Sequence, residues 1–215
     1  MGDLDGEDAQ VRTISKATGL VIVSVDYRLA PAHPYPAGLD DCITAYYWAL
    51  ENWEILGTKK DEAVTFGTSA GGNLALSTAL KVIDEGRGES LKGVVAVVPV
   101  TVAPDAVKKE WRDRYTSYEE HAEHTINTAA GMKAFFGELV EIGLEEVADS
   151  FADAYKADPF DAYVSPLLHQ KLKLLPKVYV AVAEQDTLRD DGRLLKAALD
   201  EAGFVVSFLL IWQKH

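Results

Sequence analysis

Apolar residues along the 215-residue chain fall into two alternating kinds of run. Short, nearly unbroken stretches rich in β-branched residues occur at Leu20 to Val25, Val64 to Phe66, Gly93 to Val98, Val178 to Ala183 and Phe204 to Ile211. Runs of this kind predict strands buried on both faces of a parallel sheet. Between them the apolar positions recur at helical spacing. Val11 and Ile14 do so within Asp5 to Ala17, which Gly19 closes, and a second helix runs from Leu39 through Trp53. Gly72, Leu76, Ala79, Leu80 and Ile83 share one face of a third helix, and Arg189 to Ala202, closed by Gly203, form a fourth. This alternation predicts an α/β fold with a mostly parallel sheet and helices on both faces.

Two stretches break the pattern. In DYRLAPAHPYPAGLDDC, which follows the first predicted strand, Pro31, Pro34 and Pro36 forbid regular structure and demand a fixed, extended loop. Between Thr101 and Pro159 the chain turns charged, aromatic and helical, from WRDRYTSYEEHAEH onward, and reads as an inserted helical cap. The predicted organisation is a first core part at 1–103, the cap at 104–160 and a second core part at 161–215. Trp111, Tyr115, Tyr118, Phe135 and Phe136 form either the cap's own core or the apolar wall of a pocket beneath it.

Charge narrows the partners. Lys plus Arg total 21 against 34 Asp plus Glu, a net charge of −13, which argues against nucleic acid and anionic membrane surfaces and favours small neutral substrates. One cysteine, Cys42, precludes an internal disulfide and sits in a predicted helix as a buried thiol. The acidic start MGDLDGEDAQ has neither the basic nor the apolar part of a secretory signal, and no segment is apolar enough to span a bilayer. The expectation is a soluble, cytoplasmic protein whose oligomeric state is left open.

The stretch AVTFGTSAGGNL carries the chemistry. Gly67-Thr68-Ser69-Ala70-Gly71 fits G-x-S-x-G, in which a serine occupies a sharp turn from strand to helix, with its hydroxyl pushed clear of the sheet. Ser69 is the candidate nucleophile. The N–H of Ala70, at the start of the helix, is a candidate oxyanion donor, since the helix dipole there favours negative charge. A serine hydroxyl needs an imidazole to take its proton and a carboxylate to orient that imidazole. Asp186 and His215 each follow a predicted strand, in the chain order serine, acid, histidine that hydrolases of this kind use. Glu184 is the rival acid, and His169 and His33 are rival bases. Asp190 and Asp191 read as caps of the following helix, and Asp40 and Asp41 as complements to the dipole of theirs. His121 and His124, spaced i, i+3 beside Glu120, read as part of a solvated face and not as metal ligands, so no metal site is expected.

Together DYRLAPAHPYPAGLDD, FGTSAGGNLA, SPLL and DTLRDDG resemble the hormone-sensitive-lipase-like branch of α/β-hydrolase esterases, in its GTSAG subgroup. The resemblance covers nearly the whole chain. It implies an α/β-hydrolase fold and a carboxylester hydrolase for short acyl or aryl esters, a small-molecule ester being the partner, without metal or organic cofactor. Ser69 would be the nucleophile, Asp186 the triad acid, and His215 the base. The same resemblance includes the plant gibberellin receptors, so a non-catalytic small-molecule binder is the second expectation, and an amidase, thioesterase or lactonase on the same triad a third. The family's HGGG block, which supplies further oxyanion donors, would precede GDLDGEDAQ, and the family's final histidine lies in a different local sequence from LLIWQKH. The expectation is a chain shortened at both ends, with upstream strands missing and activity impaired. Which residues bind substrate is not read from the sequence.

Overall fold

In the computed structural model, residues 4–123, 128–129, 131–132, 157–204 and 206–211 are described. Helix α1 (Leu4–Thr18) starts on acidic residues and ends where Gly19 takes a left-handed φ of 71°. Val11 and Ile14 are its partly covered apolar positions, but none of its residues is fully buried.

The strand expected at Leu20 to Val25 does not form. Residues 20–29 belong to no helix or ladder, and Leu20, Val21 and Val23 stay exposed. Composition makes a segment suited to a strand, but only a hydrogen-bonding neighbour makes it one, and none of the described strands pairs with it. The proline loop that follows is rigid in the way its sequence demands. The Arg28 guanidinium and backbone N–H both donate to Asp41, at 2.8 Å in the shortest cases. This tie fixes the loop to α2 (Ala37–Glu51), so Asp41 acts as an anchor for the loop. A short helix α3 (Trp53–Leu56) continues from α2.

Four strands, β1 (Ala63–Thr68), β2 (Leu91–Val97), β3 (Lys177–Ala183) and β4 (Ser207–Ile211), make one parallel sheet in sequence order. Thr68 pairs with Val97, Val97 with Ala181, and Ala183 with Ile211, so the carboxyl ends of all four strands meet along one edge. β4 begins later than expected because the Phe204 N–H still closes the preceding helix, bonding to the Leu199 carbonyl. Helix α4 (Ala70–Asp84) packs on β1 and β2, and α2 packs on α4. Helix α6 (Arg189–Glu201) packs on β3. Leu76 and Leu80 of α4, Leu195 of α6 and Val180 and Val182 of β3 are completely buried between these layers. Alternate strand positions face the other way, where Val64, Phe66, Leu209 and Ile211 are exposed.

After β2 the chain runs through 3₁₀ turns at Pro104–Ala106 and Lys109–Arg114 into the one-turn helix α5 (Ser117–Glu120). Trp111 and Tyr115 pack against the main core, whereas Tyr118 joins a smaller cluster with Val100, Met132 and Leu188. Phe135, Phe136 and His124 lie outside the described residues, as does most of the segment expected to form the cap.

Candidate active site

Ser69 joins β1 to α4 with φ 57° and ψ −118°, a conformation few non-glycine residues adopt. Its backbone is held on three sides. The Ser69 N–H donates to the Val97 carbonyl at 2.9 Å, and its own carbonyl accepts from Asn73 at 3.1 Å and Val100 at 3.4 Å. The flanking glycines explain how so sharp a turn fits. A Cβ on Gly67 would stand 2.0 Å from the Gly71 carbonyl oxygen, and one on Gly72 would stand 3.1 Å from Pro99. Gly71, by contrast, faces open space.

Asn73 locks the first turn of α4 from within. Almost wholly buried, its amide donates to the Val100 carbonyl at 3.0 Å and the Val164 carbonyl at 2.8 Å. One side chain thus ties the serine helix to the segment after β2 and to the SPLL region. Nothing in the sequence distinguishes this asparagine from an ordinary helix residue except its place four positions after the serine.

Ala70 begins α4, so its N–H belongs to the first turn, which has no intrahelical acceptor. It lines a cleft of about 130 Å³ whose apolar walls include Leu39, Leu74, Val100 and Val164. Tyr27, Tyr35 and His33 of the proline loop form the other side. His33 is exposed and stands on the rim of this cleft, nearer the serine helix than its place before the nucleophile in sequence suggested.

Asp186 follows β3 on the sheet edge that Ser69 occupies after β1. Its carboxylate accepts from the Leu188 N–H at 3.0 Å and the Thr187 hydroxyl at 3.3 Å. The rival acid is spoken for, since Glu184 pairs with Arg193 at 2.8 Å. His169 is excluded as the base by position. It bonds Asp84 at 3.1 Å, at the far end of α4, roughly 20 Å from the serine turn at 1.5 Å per helical residue. His215 lies outside the described residues, which end at Ile211 of β4, next to β3 in the sheet.

Asp190 and Asp191 correct the sequence reading, for neither caps α6. Asp191, completely buried, accepts from the N–H groups of Thr101 at 2.7 Å and Val102 at 3.2 Å and from the Tyr115 hydroxyl at 2.9 Å. Burial, with no cation paired to it among the described residues, pushes its carboxyl up to about 7, against the pull of these donors. Asp190 is buried too, but Arg189 bonds it at 2.9 Å and the amides of Thr116 and Ser117 at 2.9 and 2.8 Å. Burial works to raise its carboxyl, yet these donors prevail and hold it below the usual range. Capping carboxylates and cross-linking ones look alike in sequence, because only the fold decides which amides come within reach. His121 meets Arg189 at 3.0 Å, and no group of three metal-binding side chains occurs among the described residues.

The fold that carries this site has known relatives. The profile of a family described as alpha/beta hydrolase fold matches residues 1–213. An FAD-linked oxidoreductase, pytB, of Aspergillus terreus is 47% identical over 94% of the chain, a match that occupies 23% of that protein. The versiconal hemiacetal acetate esterase of Aspergillus parasiticus is 44% identical over 97% of the chain and 60% of the esterase. Among solved structures, the hyperthermophilic esterase of the archaeon Pyrobaculum calidifontis superposes with a TM-score of 0.78 at 29% identity, covering 99% of this chain and 61% of that one. The chain therefore spans less than two thirds of the length of the relatives it resembles. With a serine turn at the carboxyl edge of a parallel sheet, an acid after a later strand and a profile match along almost its whole length, the chain belongs to the alpha/beta hydrolase family.

Proposed function

We propose that the protein is a carboxylic ester hydrolase working through a Ser-His-Asp acyl-enzyme mechanism. The observation that carries this reading is the left-handed Ser69, held by Val97, Asn73 and Val100 on the sheet edge it shares with Asp186. Such a turn costs about 1–3 kcal/mol and serves no packing purpose that a glycine would not serve better. In this reading Ser69 Oγ attacks the ester carbonyl carbon while His215 takes the hydroxyl proton. The oxyanion accepts a hydrogen bond from the Ala70 N–H, with the α4 dipole behind it. Collapse of the tetrahedral intermediate breaks the bond to the alcohol, which leaves with the proton held by His215. Water then loses a proton to the same imidazole and attacks the acyl carbon, releasing the acid and restoring Ser69. Asp186 keeps the imidazole oriented and stabilises its charged form.

The small apolar cleft at Ala70 suits a short acyl group, and the name of the Aspergillus parasiticus relative favours acetyl esters as first substrates. Residues 104–160 belong in this reading to a cap between the two core parts, 1–103 and 161–215. The test is hydrolysis of p-nitrophenyl acetate and butyrate by this chain beside Ser69→Ala, His215→Ala and His33→Ala. Turnover that Ser69→Ala and His215→Ala abolish, and His33→Ala leaves, is the expected result. Loss with His33→Ala and retention with His215→Ala would transfer the base to the proline loop. A folded chain that binds the ester without turnover would make it a binding protein.

A further inference from the structure

Asp186 needs more than its own turn to aim it. Its carboxylate is held by the Leu188 N–H at 3.0 Å and the Thr187 hydroxyl at 3.3 Å, both from neighbours in the chain. The Leu188 N–H belongs to the same peptide unit as the Thr187 carbonyl. That unit is planar and trans, so fixing its oxygen fixes the direction of its N–H. The Thr187 oxygen is fixed from outside the turn, for it accepts the Ser117 hydroxyl at 2.6 Å. The same Ser117 oxygen accepts the Asp190 N–H at 3.3 Å, in the first turn of α6. Asp190 answers by accepting the N–H groups of Thr116 and Ser117 at 2.9 and 2.8 Å.

Ser117 and Asp190 therefore clasp the amino ends of α5 and α6 reciprocally, with Ser117 and Thr187 wholly buried and Asp190 nearly so. We infer that Ser117 is a positioning residue for Asp186, holding the Thr187–Leu188 peptide so that its N–H orients the acid. Leu188, buried beside Tyr118 and Val100, adds an apolar backing to the same turn. Arg189 bonds both Asp190 and Glu120, so the buried Asp190 carboxylate has a cation beside it. The clasp also means that α5, which lies within 104–160, and the acid turn move as one body. That Asp186 is the catalytic acid rests on the function proposed above, but the clasp itself does not.

The experiment compares Ser117→Ala with Ser77→Ala. Ser77 is as deeply buried and donates to the Tyr163 carbonyl at 2.7 Å, but it lies on α4, away from the acid turn. Amide hydrogen exchange is followed at Leu188, with Val180 and Val182 of β3 as internal references. Losing a buried hydrogen bond is worth about tenfold in local opening, so Leu188 should exchange about ten times faster in Ser117→Ala and unchanged in Ser77→Ala. Equal Leu188 exchange in the two variants overturns the inference.

In the active enzyme, the acid limb of the pH–rate profile on p-nitrophenyl acetate is read as well. A loosened Asp186 stabilises the imidazolium less, so the limb should move to lower pH in Ser117→Ala while kcat falls and KM holds. A merely destabilised protein would lose amplitude with the limb in place, and that result also overturns the inference. If the parent shows no turnover dependent on Ser69, the esterase reading fails, and the exchange arm alone decides the clasp.

Discussion

Adding a single methyl group at Gly67 should damage this protein more than at any neighbouring glycine. The Cβ of Gly67→Ala would lie 2.0 Å from the Gly71 oxygen, 2.2 Å from the Gly71 carbon and 2.8 Å from the Gly72 nitrogen. All three obstacles are backbone atoms of the first turn of α4, so no side chain can rotate away, and relief requires β1 and α4 to separate by about 1 Å. Overpacking a well-filled core costs about 1–3 kcal/mol when side chains adjust. With backbone in the way the loss should be at or above about 3 kcal/mol, or more than a hundredfold in the folding equilibrium. Gly72→Ala meets Pro99 at 3.1 Å and should lose about 1 kcal/mol. Gly71→Ala meets nothing within 4 Å in a helical turn and should be neutral or stabilising by up to about 1 kcal/mol. Urea denaturation followed by far-UV circular dichroism gives all three values at constant slope. Ester turnover should fall at least a hundredfold in Gly67→Ala, because Ser69 shifts with the turn. A Gly67→Ala variant within 0.5 kcal/mol of the parent, or a Gly71→Ala variant equally damaged, would refute the reasoning.

Asn73→Ala should cost about 2–3 kcal/mol, since it leaves the Val100 and Val164 carbonyls without their donor, and Asn73→Asp should cost more by setting a carboxylate against them; urea midpoints decide both. Asp191 keeps its proton up to about 7 in the fold but only to the ordinary value of 3.8 when unfolded. Its contribution is therefore full below that lower value and lost as pH rises through 7, at a slope of at most about 1.4 kcal/mol per pH unit. Asp191→Asn should flatten stability between pH 4 and 7, and an unchanged slope would show that Asp191 is ionised throughout. Asp84 behaves in the opposite sense. Burial works to raise its carboxyl, but donors from Lys171, Tyr163 and His169 bring it down to about 2. Its stabilisation is present above pH 4 and lost as pH falls toward 2, so Asp84→Asn should be less stable at neutral pH and converge with the parent in acid.

The strands at 64–66, 93–98 and 178–183 were legible because a buried parallel strand must be apolar throughout, and the serine turn because its glycines are spaced by contact with backbone. Leu20 to Val25 misled for the same reason, since composition records suitability for a ladder and not the presence of a neighbour. The roles of Asp190, Asp191 and Ser117 were illegible because each acts on amides some 70 to 90 positions away in sequence. WRDRYTSYEEHAEH read as the start of a cap in which the aromatic residues are the buried ones, yet the small polar Ser117 within it is wholly buried. Short polar side chains that serve distant backbone carry no periodicity of their own.

Ser69 and Val98 both hold positive φ, 57° and 39°, and they stand side by side, the Ser69 N–H bonded to the carbonyl just before Val98. For a β-branched residue such as valine this conformation is a true outlier. Two adjacent strained residues are kept in place only by the sheet and helix that surround them. On warming, this corner should relax before the sheet melts. Covalent capture of Ser69 by a fluorophosphonate should then fade several degrees below the loss of β-sheet signal, giving the protein a temperature range in which it is folded but chemically silent.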